Sequence, residues 1–317
     1  MKVGVFFGNL AYGTPDMVVA LAEAAEQNGV ESVWAQEHPA VTEELTLPGG
    51  VDADMTGEET GEAAIQEVPF PDPLVWLAQV AALTRTVKIG TGAILLPLHN
   101  PVILARAAAT LDQLSGGRFI LGVALGWLKE EFDACGVDFS TRAARTEEYI
   151  EAIRAAWTPD GSFHGPTVSF EQIRGGPKPP AGRIPIHIGA SMPKGARRAG
   201  RMAEGFFPLP FESSKMAMVA IRATLSGDKP DWSGYSLPDE LVTLIDECRA
   251  AATEAGRSPE DVELTVTGPP TLEVAKQAAD LGVSRYLVTP PAFELSAVPG
   301  AFGRLADELI SPLSAQS

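Results

Sequence analysis

The segment TVKIGTGAILLPLHNPVILARAAATLDQLSGGRFILGVALGWLKEEFDA, residues 86–134, decides the fold. Within it, residues 87–96 form a β-branched and almost continuously apolar run, which is typical of a strand that is buried on both faces. Asn100-Pro101 predicts a helix start, with Asn as the N-cap and Pro in the first helical position. The helix ends at Ser115-Gly116-Gly117, and residues 118–124 follow as a second strand. Two such units end to end indicate a parallel β/α architecture.

The same alternation continues along the whole chain. Eight runs have the character of strands, and we place them at 2–7, 30–35, 87–96, 118–124, 184–188, 205–207, 262–266 and 285–288. Eight parallel strands with right-handed helical returns predict a closed (β/α)8 TIM barrel of the α/β class. We predict one domain over residues 1–317, since barrels of this kind often exceed 250 residues.

Two stretches interrupt the alternation and are predicted to be insertions at the carboxyl-terminal mouth of the barrel. The first, near 40–71, is acidic and rich in turn residues, and loops of this length are usually functional or mobile. The second, near 208–260, carries extra helices, notably over 238–255. A further segment, 158–183, is predicted to be irregular.

Composition excludes several classes of function. The formal net charge is −17, and no run of Lys and Arg offsets it, so nucleic acid is not an expected partner. Cys135 and Cys248 form neither a zinc spacing nor a disulfide framework, which favours a reducing, cytoplasmic location. The amino terminus lacks the features of a secretory signal, and no run reaches the roughly 18 apolar residues of a membrane span.

Several motifs recur in an order that carries a family resemblance. They are WAQEHPAV at 34–41, IGTGAILLPLHNPVILARAAATLDQLSGGRFILGVALGW at 89–127, EEF at 130–132, R-x-x-R-x-E-E-Y-I at 142–150, and IPIHIGAS at 184–191. Together they resemble the bacterial luciferase-like monooxygenase superfamily. Within it, the chain is most similar to the branch of oxidoreductases that depend on the deazaflavin coenzyme F-420. The match covers residues 1–210 well and the rest in general layout.

The resemblance implies a luciferase-like barrel enzyme that binds coenzyme F-420 and transfers hydride to or from a small organic substrate. It also implies a homodimer. Family members carry a non-prolyl cis peptide late in the third strand, where the backbone bulges against the cofactor ring, and Gly92-Ala93 occupies that position here. A glycine beside a small alanine suits such a bond, so we predict that the Gly92-Ala93 peptide is cis.

Glu37-His38 lies at the carboxyl end of the second predicted strand. The resemblance places this pair beside the reactive edge of the ring, where His38 can move a proton. An imidazole suits that task because its unperturbed pKa is near 6.5. Glu37 is expected to orient the ring or bind the polar edge of the cofactor. Of the other histidines, His99 is a weaker candidate for the mouth, and His187 is expected to pack inside the barrel.

Gly189-Ala190-Ser191 precedes a predicted helix that starts at Pro193. Small residues let backbone N–H groups approach an anion, and the helix dipole favours negative charge at this end. Lys194 adds positive charge, and so do Arg197, Arg198 and Arg201. We predict that this turn holds the cofactor phosphate.

Gly126-Trp127 follows the fourth strand and forms the last predicted wall of the mouth. A tryptophan there can stack on the cofactor ring or on substrate. Deazaflavin-dependent sugar-phosphate dehydrogenases carry a carboxylate near this position, so Trp127 argues against that activity in this chain.

Three alternatives remain open on the sequence. An FMN-dependent monooxygenase would use the same barrel with reduced flavin and oxygen. A flavin-binding barrel without catalytic activity is a different class, which the mouth residues Glu37, His38, Gly92 and Ser191 disfavour. A metal hydrolase is disfavoured more strongly, because no His-x-His pair follows the first strand, and we predict no metal site.

Overall fold

The structure is a computed structural model that describes residues 1–40, 70–174, 176–210 and 231–315. Most of the predicted insertion near 40–71, and part of the one near 208–260, therefore lie outside the described residues. A search of the described helices finds none with both the length and the apolar character needed to cross a bilayer.

The described strands form one closed parallel barrel and one small hairpin. They are β1 Lys2–Val5, β2 Ser32–Ala35, β3 Lys88–Thr91, β4 Ile94–Leu95, β5 Phe119–Ala124, β6 Phe163–His164, β7 Ser169–Phe170, β8 Ile186–Ala190, β9 Gly205–Pro208, β10 Glu263–Thr267 and β11 Arg285–Val288. The order around the barrel is β1, β2, β3, β5, β8, β9, β10 and β11. β11 closes the ring on β1, with Arg285 opposite Lys2. The predicted (β/α)8 barrel is confirmed.

The third barrel position is split into two short strands. β3 pairs with β2 on one side and with β5 on the other, and β4 continues beside β5 with Ile94 opposite Val123. The two residues between β3 and β4 are Gly92 and Ala93. The regular ladder of the barrel is therefore interrupted at the predicted site of the cis peptide.

Helices surround the barrel on its outer face. They are α1 Gly8–Ala11, α2 Pro15–Gln27, α3 Pro73–Leu83, α4 Pro101–Ser115, α5 Lys129–Ala134, α6 Arg142–Trp157, α7 Pro193–Met202, α8 Asp239–Glu254, α9 Leu272–Asp280, α10 Val298–Leu305 and α11 Ser311–Ser314. The start of α4 is as predicted, because the Asn100 side chain accepts hydrogen bonds from the backbone N–H of Val102 and Ile103 at 3.0 and 3.2 Å. Its end is also as predicted, with Gly116 at a φ of 71°.

Three elements differ from the sequence prediction. α8 is not an extra helix of an insertion: it is the return between β9 and β10 and packs on α7. α9, whose buried face consists of Val274, Ala275 and Ala278, was missed because its 9 residues are fewer than the roughly 11–18 over which a helical period is read. The segment 158–183 contains the β6–β7 hairpin, in which Phe163 lies opposite Phe170.

An aromatic cluster fills the barrel interior beneath the interrupted third strand. Its buried members are Phe6, Phe7, Trp34, Ile120, Phe207 and Leu287. The rings of Phe6 and Phe207 meet edge to face with centroids 5.3 Å apart. A Cβ on Gly92 would lie 2.8 and 2.9 Å from these two rings, so the cluster closes the barrel directly against the Gly92 backbone.

A charged layer occupies the barrel near the amino ends of the strands. Arg285 is fully buried and donates from Nε and Nη2 to both carboxylate oxygens of Glu31, at 2.7 and 2.9 Å. Its Nη2 also lies 3.2 Å from Oε1 of Glu263. His187 packs beside this layer with its Nε2 atom 3.5 Å from Oε2 of Glu263, which confirms its predicted place inside the barrel. Burial lowers the pKa of His187.

Candidate active site

The predicted site residues lie on four consecutive barrel positions. Glu37-His38 follows β2, Gly92-Ala93 divides β3 from β4, Gly126-Trp127 follows β5, and Gly189-Ala190-Ser191 spans the end of β8. Because the strands are parallel, their carboxyl ends meet at one end of the barrel, where enzymes of this architecture bind their substrates. One half of the mouth therefore holds all the predicted groups.

The peptide bond between Gly92 and Ala93 is cis, as predicted. Hydrogen bonds fix the backbone on either side of it. The Gly92 N–H donates to the carbonyl of Ala35 in β2 at 2.7 Å. The Thr91 hydroxyl donates to the Gly122 carbonyl at 2.8 Å and accepts from the Gly122 N–H at 2.9 Å. A Cβ on Gly122 would lie 1.8 Å from the Thr91 carbonyl oxygen, so only glycine permits this approach of β5.

Glu37 is a buried carboxylate that ties the end of β2 to the chain beyond the cis bond. Its Oε2 accepts a hydrogen bond from the Leu95 N–H at 2.7 Å, and its Oε1 lies 2.9 Å from Nε2 of His99. Burial opposes a charge on His99, but the hydrogen bond and negative charge of Glu37 outweigh it and raise the pKa of His99. His99 is thus a nearer neighbour of the site than the sequence indicated.

His38 is held by a residue that sequence reasoning missed. Its Nδ1 lies 3.1 Å from Oε1 of Glu131, which is fully buried in the first turn of α5. The rings of Phe70 and Trp127 stand edge-on to the imidazole, with centroids 5.3 and 6.1 Å away. Trp127 therefore lies at the mouth as predicted. The only signal for Glu131 in the sequence was its place in the EEF motif.

Asn9 is a second residue that the sequence did not reveal. It is fully buried, and its Nδ2 donates to the carbonyls of Gln36 and Pro71, both at 2.8 Å. Its Oδ1 accepts from the Gln36 N–H at 3.1 Å. Asn9 thus fixes the backbone immediately before Glu37 and immediately after Phe70.

The turn after β8 forms a separate part of the mouth. α7 begins at Pro193, which has no N–H, and the N–H of Gly195 donates to the Met192 carbonyl at 2.9 Å. A Cβ on Gly189 would lie in ordinary van der Waals contact with Leu209, at 3.6 Å, so protein atoms already line this backbone. Among the described residues, no hydrogen bond or ring contact joins this turn to Glu37, His38 or Trp127.

The basic residues of α7 are placed differently from the prediction. Nη1 of Arg197 lies 3.1 Å from Glu247 of α8, and Nε of Arg198 lies 2.8 Å from Glu147 of α6. Arg201 also contacts Glu147, at 3.3 Å. These three arginines cross-link helices, whereas Lys194 is exposed at the first turn, next to Ser191.

A closed parallel (β/α)8 barrel with paired acid and histidine side chains at its carboxyl-terminal mouth defines an enzyme scaffold. Comparison with known protein families identifies the class of enzyme. The family model described as luciferase-like monooxygenase matches residues 1–231. The chain belongs to this family, and it is an enzyme of the luciferase-like oxidoreductase and monooxygenase kind.

Individual relatives are similar to this chain in sequence or in fold. The uncharacterized protein Rv0953c of Mycobacterium tuberculosis is 30% identical over 295 residues, which are 92% of this chain and 93% of the relative. The F-420-dependent glucose-6-phosphate dehydrogenase of Amycolatopsis mediterranei is 35% identical over 65% of this chain and 56% of its own length. In fold, the coenzyme F-420-dependent tetrahydromethanopterin reductase of Methanopyrus kandleri superposes with a TM-score of 0.70 at 16% identity, covering 98% of this chain and 99% of that one.

Proposed function

We propose that the protein is an oxidoreductase that uses coenzyme F-420 for hydride transfer to or from a small organic substrate. The observation that carries this proposal is the imidazole of His38, held by a buried carboxylate at the carboxyl end of β2 and adjacent to Trp127. The names of F-420-dependent relatives in the same family support the choice of cofactor. We further propose a single domain over 1–317 and a cytoplasmic homodimer.

The residues at the mouth fit a deazaflavin or flavin. The carboxylate of Glu131 has one buried oxygen, Oε2, without a hydrogen-bond partner among the described residues, which leaves a polar atom beside the mouth for a further donor. Trp127 offers an aromatic face and edge for a flat ring system. The amino-terminal end of α7, with the exposed Lys194 in its first turn, suits a phosphate group.

In this proposal, four residues at the mouth have defined tasks. When bound, coenzyme F-420 would supply the hydride in its reduced form or accept it in its oxidised form. His38 gives or takes the accompanying proton at an imidazole nitrogen. Glu37 keeps the backbone of Leu95 and the ring of His99 in place and so shapes the wall beside the cis bond. Ser191 and Lys194 bind the cofactor phosphate, with help from the dipole of α7.

The choice of cofactor is tested by titrating the purified protein with coenzyme F-420 and, separately, with FMN. We expect saturable binding of coenzyme F-420, seen as a change in its visible absorbance and fluorescence, and weaker binding of FMN. Tighter binding of FMN, with oxygen consumption by the reduced complex, would identify a flavin monooxygenase instead. Binding of neither compound would contradict the proposal and favour a barrel without this chemistry.

The phosphate site is tested by Ser191→Asp. We expect weaker cofactor binding, because the new carboxylate repels a phosphate at this turn. The thermal unfolding of the protein without cofactor is expected to change little, since Ser191 is only partly buried. The matched control is Ser314→Asp on the exposed end of α11, which should leave affinity unchanged. Equal affinity of Ser191→Asp and wild type would place the phosphate elsewhere.

A further inference from the structure

Two adjacent glutamates at the start of α5 have opposite environments. Glu130 is exposed, whereas the side chain of Glu131 is fully buried. A buried carboxylate is costly unless other groups compensate its charge or form hydrogen bonds with it. Glu131 has little such compensation: Oε1 contacts His38, and Oε2 has no partner among the described residues. The burial of Glu131 therefore needs a reason beyond the stability of α5.

Comparison with Glu37 shows what that reason is. Glu37 also contacts a histidine, but its carboxylate accepts a backbone hydrogen bond from Leu95 as well, so it anchors the chain. Glu131 makes no side-chain hydrogen bond to the backbone in the described part of the chain. Within residues 1–40, 70–174, 176–210 and 231–315, the one hydrogen-bond partner of its carboxylate is the Nδ1 atom of His38, 93 residues away in sequence.

The hydrogen bond between the Glu131 carboxylate and the His38 imidazole determines which ring nitrogen carries the proton. An ionised carboxylate can only accept hydrogen bonds, so Nδ1 of His38 has to donate, and a neutral imidazole then carries no proton on Nε2. In the described residues, Nε2 of His38 has no hydrogen-bond partner, and the side chain is 21% exposed. Nε2 is therefore the nitrogen that remains free to exchange a proton with a bound molecule.

We propose that Glu131 is a positioning residue that holds His38 in the Nδ1–H tautomer and so reserves Nε2 for the substrate proton. The inference deepens the proposed function and rests on it for the role of the proton. In one direction the substrate O–H bond breaks and an Nε2–H bond forms, while the hydride on the adjacent carbon would pass to oxidised coenzyme F-420. In the other direction reduced coenzyme F-420 would return the hydride to carbon, and Nε2 returns the proton to oxygen. Throughout, the Nδ1 proton stays on His38 and is donated in a hydrogen bond to Glu131, whose negative charge also stabilises the imidazolium.

The tautomer is measured directly in the protein without cofactor, by nitrogen-15 NMR of the labelled imidazoles. The chain has only 4 histidines, and the spectrum of His38→Ala identifies the signals of His38. We expect the Nδ1–H form in the wild type. In Glu131→Gln, whose amide can donate as well as accept, we expect an Nε2–H form to appear. The control Glu130→Gln should match the wild type.

Turnover provides the second readout. With Glu131→Gln we expect kcat to fall about 10- to 100-fold, as when the partner that orients a metal-binding histidine is removed, with little change in KM. An Nε2–H form of His38 in the wild type, or a tautomer unchanged by Glu131→Gln, would overturn the inference. Failure of the proposed function is distinct from this: the wild-type tautomer would be as expected, but neither coenzyme F-420 nor FMN would bind.

Discussion

Replacement of His38 by alanine is expected to lower turnover by roughly 10²–10⁴-fold, the usual contribution of a general acid or base. The reason is that hydride transfer changes the charge on the substrate atom that gains or loses the proton, and alanine cannot compensate it. Cofactor affinity should fall only modestly, because the imidazole is one of several groups around the mouth. The measurement is the rate of change of the visible absorbance of oxidised coenzyme F-420, with secondary alcohols and electron-poor alkenes as the substrate panel.

The matched control is His164→Ala. The imidazole of His164 is 64% exposed and lies on the β6–β7 hairpin, so the control should turn over at the wild-type rate. If His38→Ala kept both the turnover and the pH profile of the wild type, His38 would have a packing role only. A loss of cofactor binding as large as the loss of turnover would indicate a role in affinity instead.

Replacement of Arg285 by methionine is expected to lower the free energy of unfolding by about 3–5 kcal/mol. The guanidinium is fully buried and bridges Glu31 and Glu263 across the barrel interior. Methionine fills similar space but leaves the two carboxylates without their shared cation. Denaturant unfolding at neutral pH measures the change.

Arg285→Met should lower the free energy of unfolding by less in acid than at neutral pH. Burial alone would raise the pKa of Glu263, but its contacts with His187, Arg285 and Lys2 hold that pKa well below 4.5, and the pKa of Glu31 is lowered as well. These carboxylates therefore stabilise the wild type above about pH 4.5, and this stabilisation is lost as the pH falls. Without Arg285 they can accept protons and lose their buried charge. The difference in the free energy of unfolding between wild type and Arg285→Met should therefore narrow as the pH falls below about 4.5.

The control for this prediction is Lys88→Met. Lys88 also contacts Glu31, at 3.4 Å, but its side chain is 41% exposed. Such a pair contributes about 0–1 kcal/mol, so the control should stay close to the wild type. An equal decrease in the free energy of unfolding in Lys88→Met and Arg285→Met would contradict the importance of burial. A difference in the free energy of unfolding between wild type and Arg285→Met that widens in acid would contradict it as well.

Local patterns in the sequence were sufficient to predict most of the fold. The Asn100-Pro101 cap and the glycines at 116–117 reflect interactions within a few residues, and the helix between them has the expected ends. The apolar run at 87–96 also lies in the barrel wall, but it forms two short strands, Lys88–Thr91 and Ile94–Leu95, where one was predicted. The motifs also predicted the cis bond between Gly92 and Ala93. α9 was not predicted because its 9 residues are fewer than the roughly 11–18 over which a helical period is read.

The composition of the site depended on contacts between distant parts of the chain. Glu131 meets His38 across 93 positions and Glu37 meets His99 across 62, and no local pattern links either pair. The three arginines of α7 show the opposite error, since they looked like an anion site in sequence and pair with Glu147, Glu247 and Glu254 in the structure.

The sequence by itself thus determined most of the strands and helices, that the barrel closes, and which strand ends carry polar groups. Periodicity and capping are local, and parallel strands bring their carboxyl ends together whatever the side chains do. Only the tertiary structure decided which carboxylate faces which imidazole. That choice follows from the order of neighbouring strands, which sets β2, β3 and β5 side by side, and from the Glu131–His38 contact, which joins α5 to the end of β2.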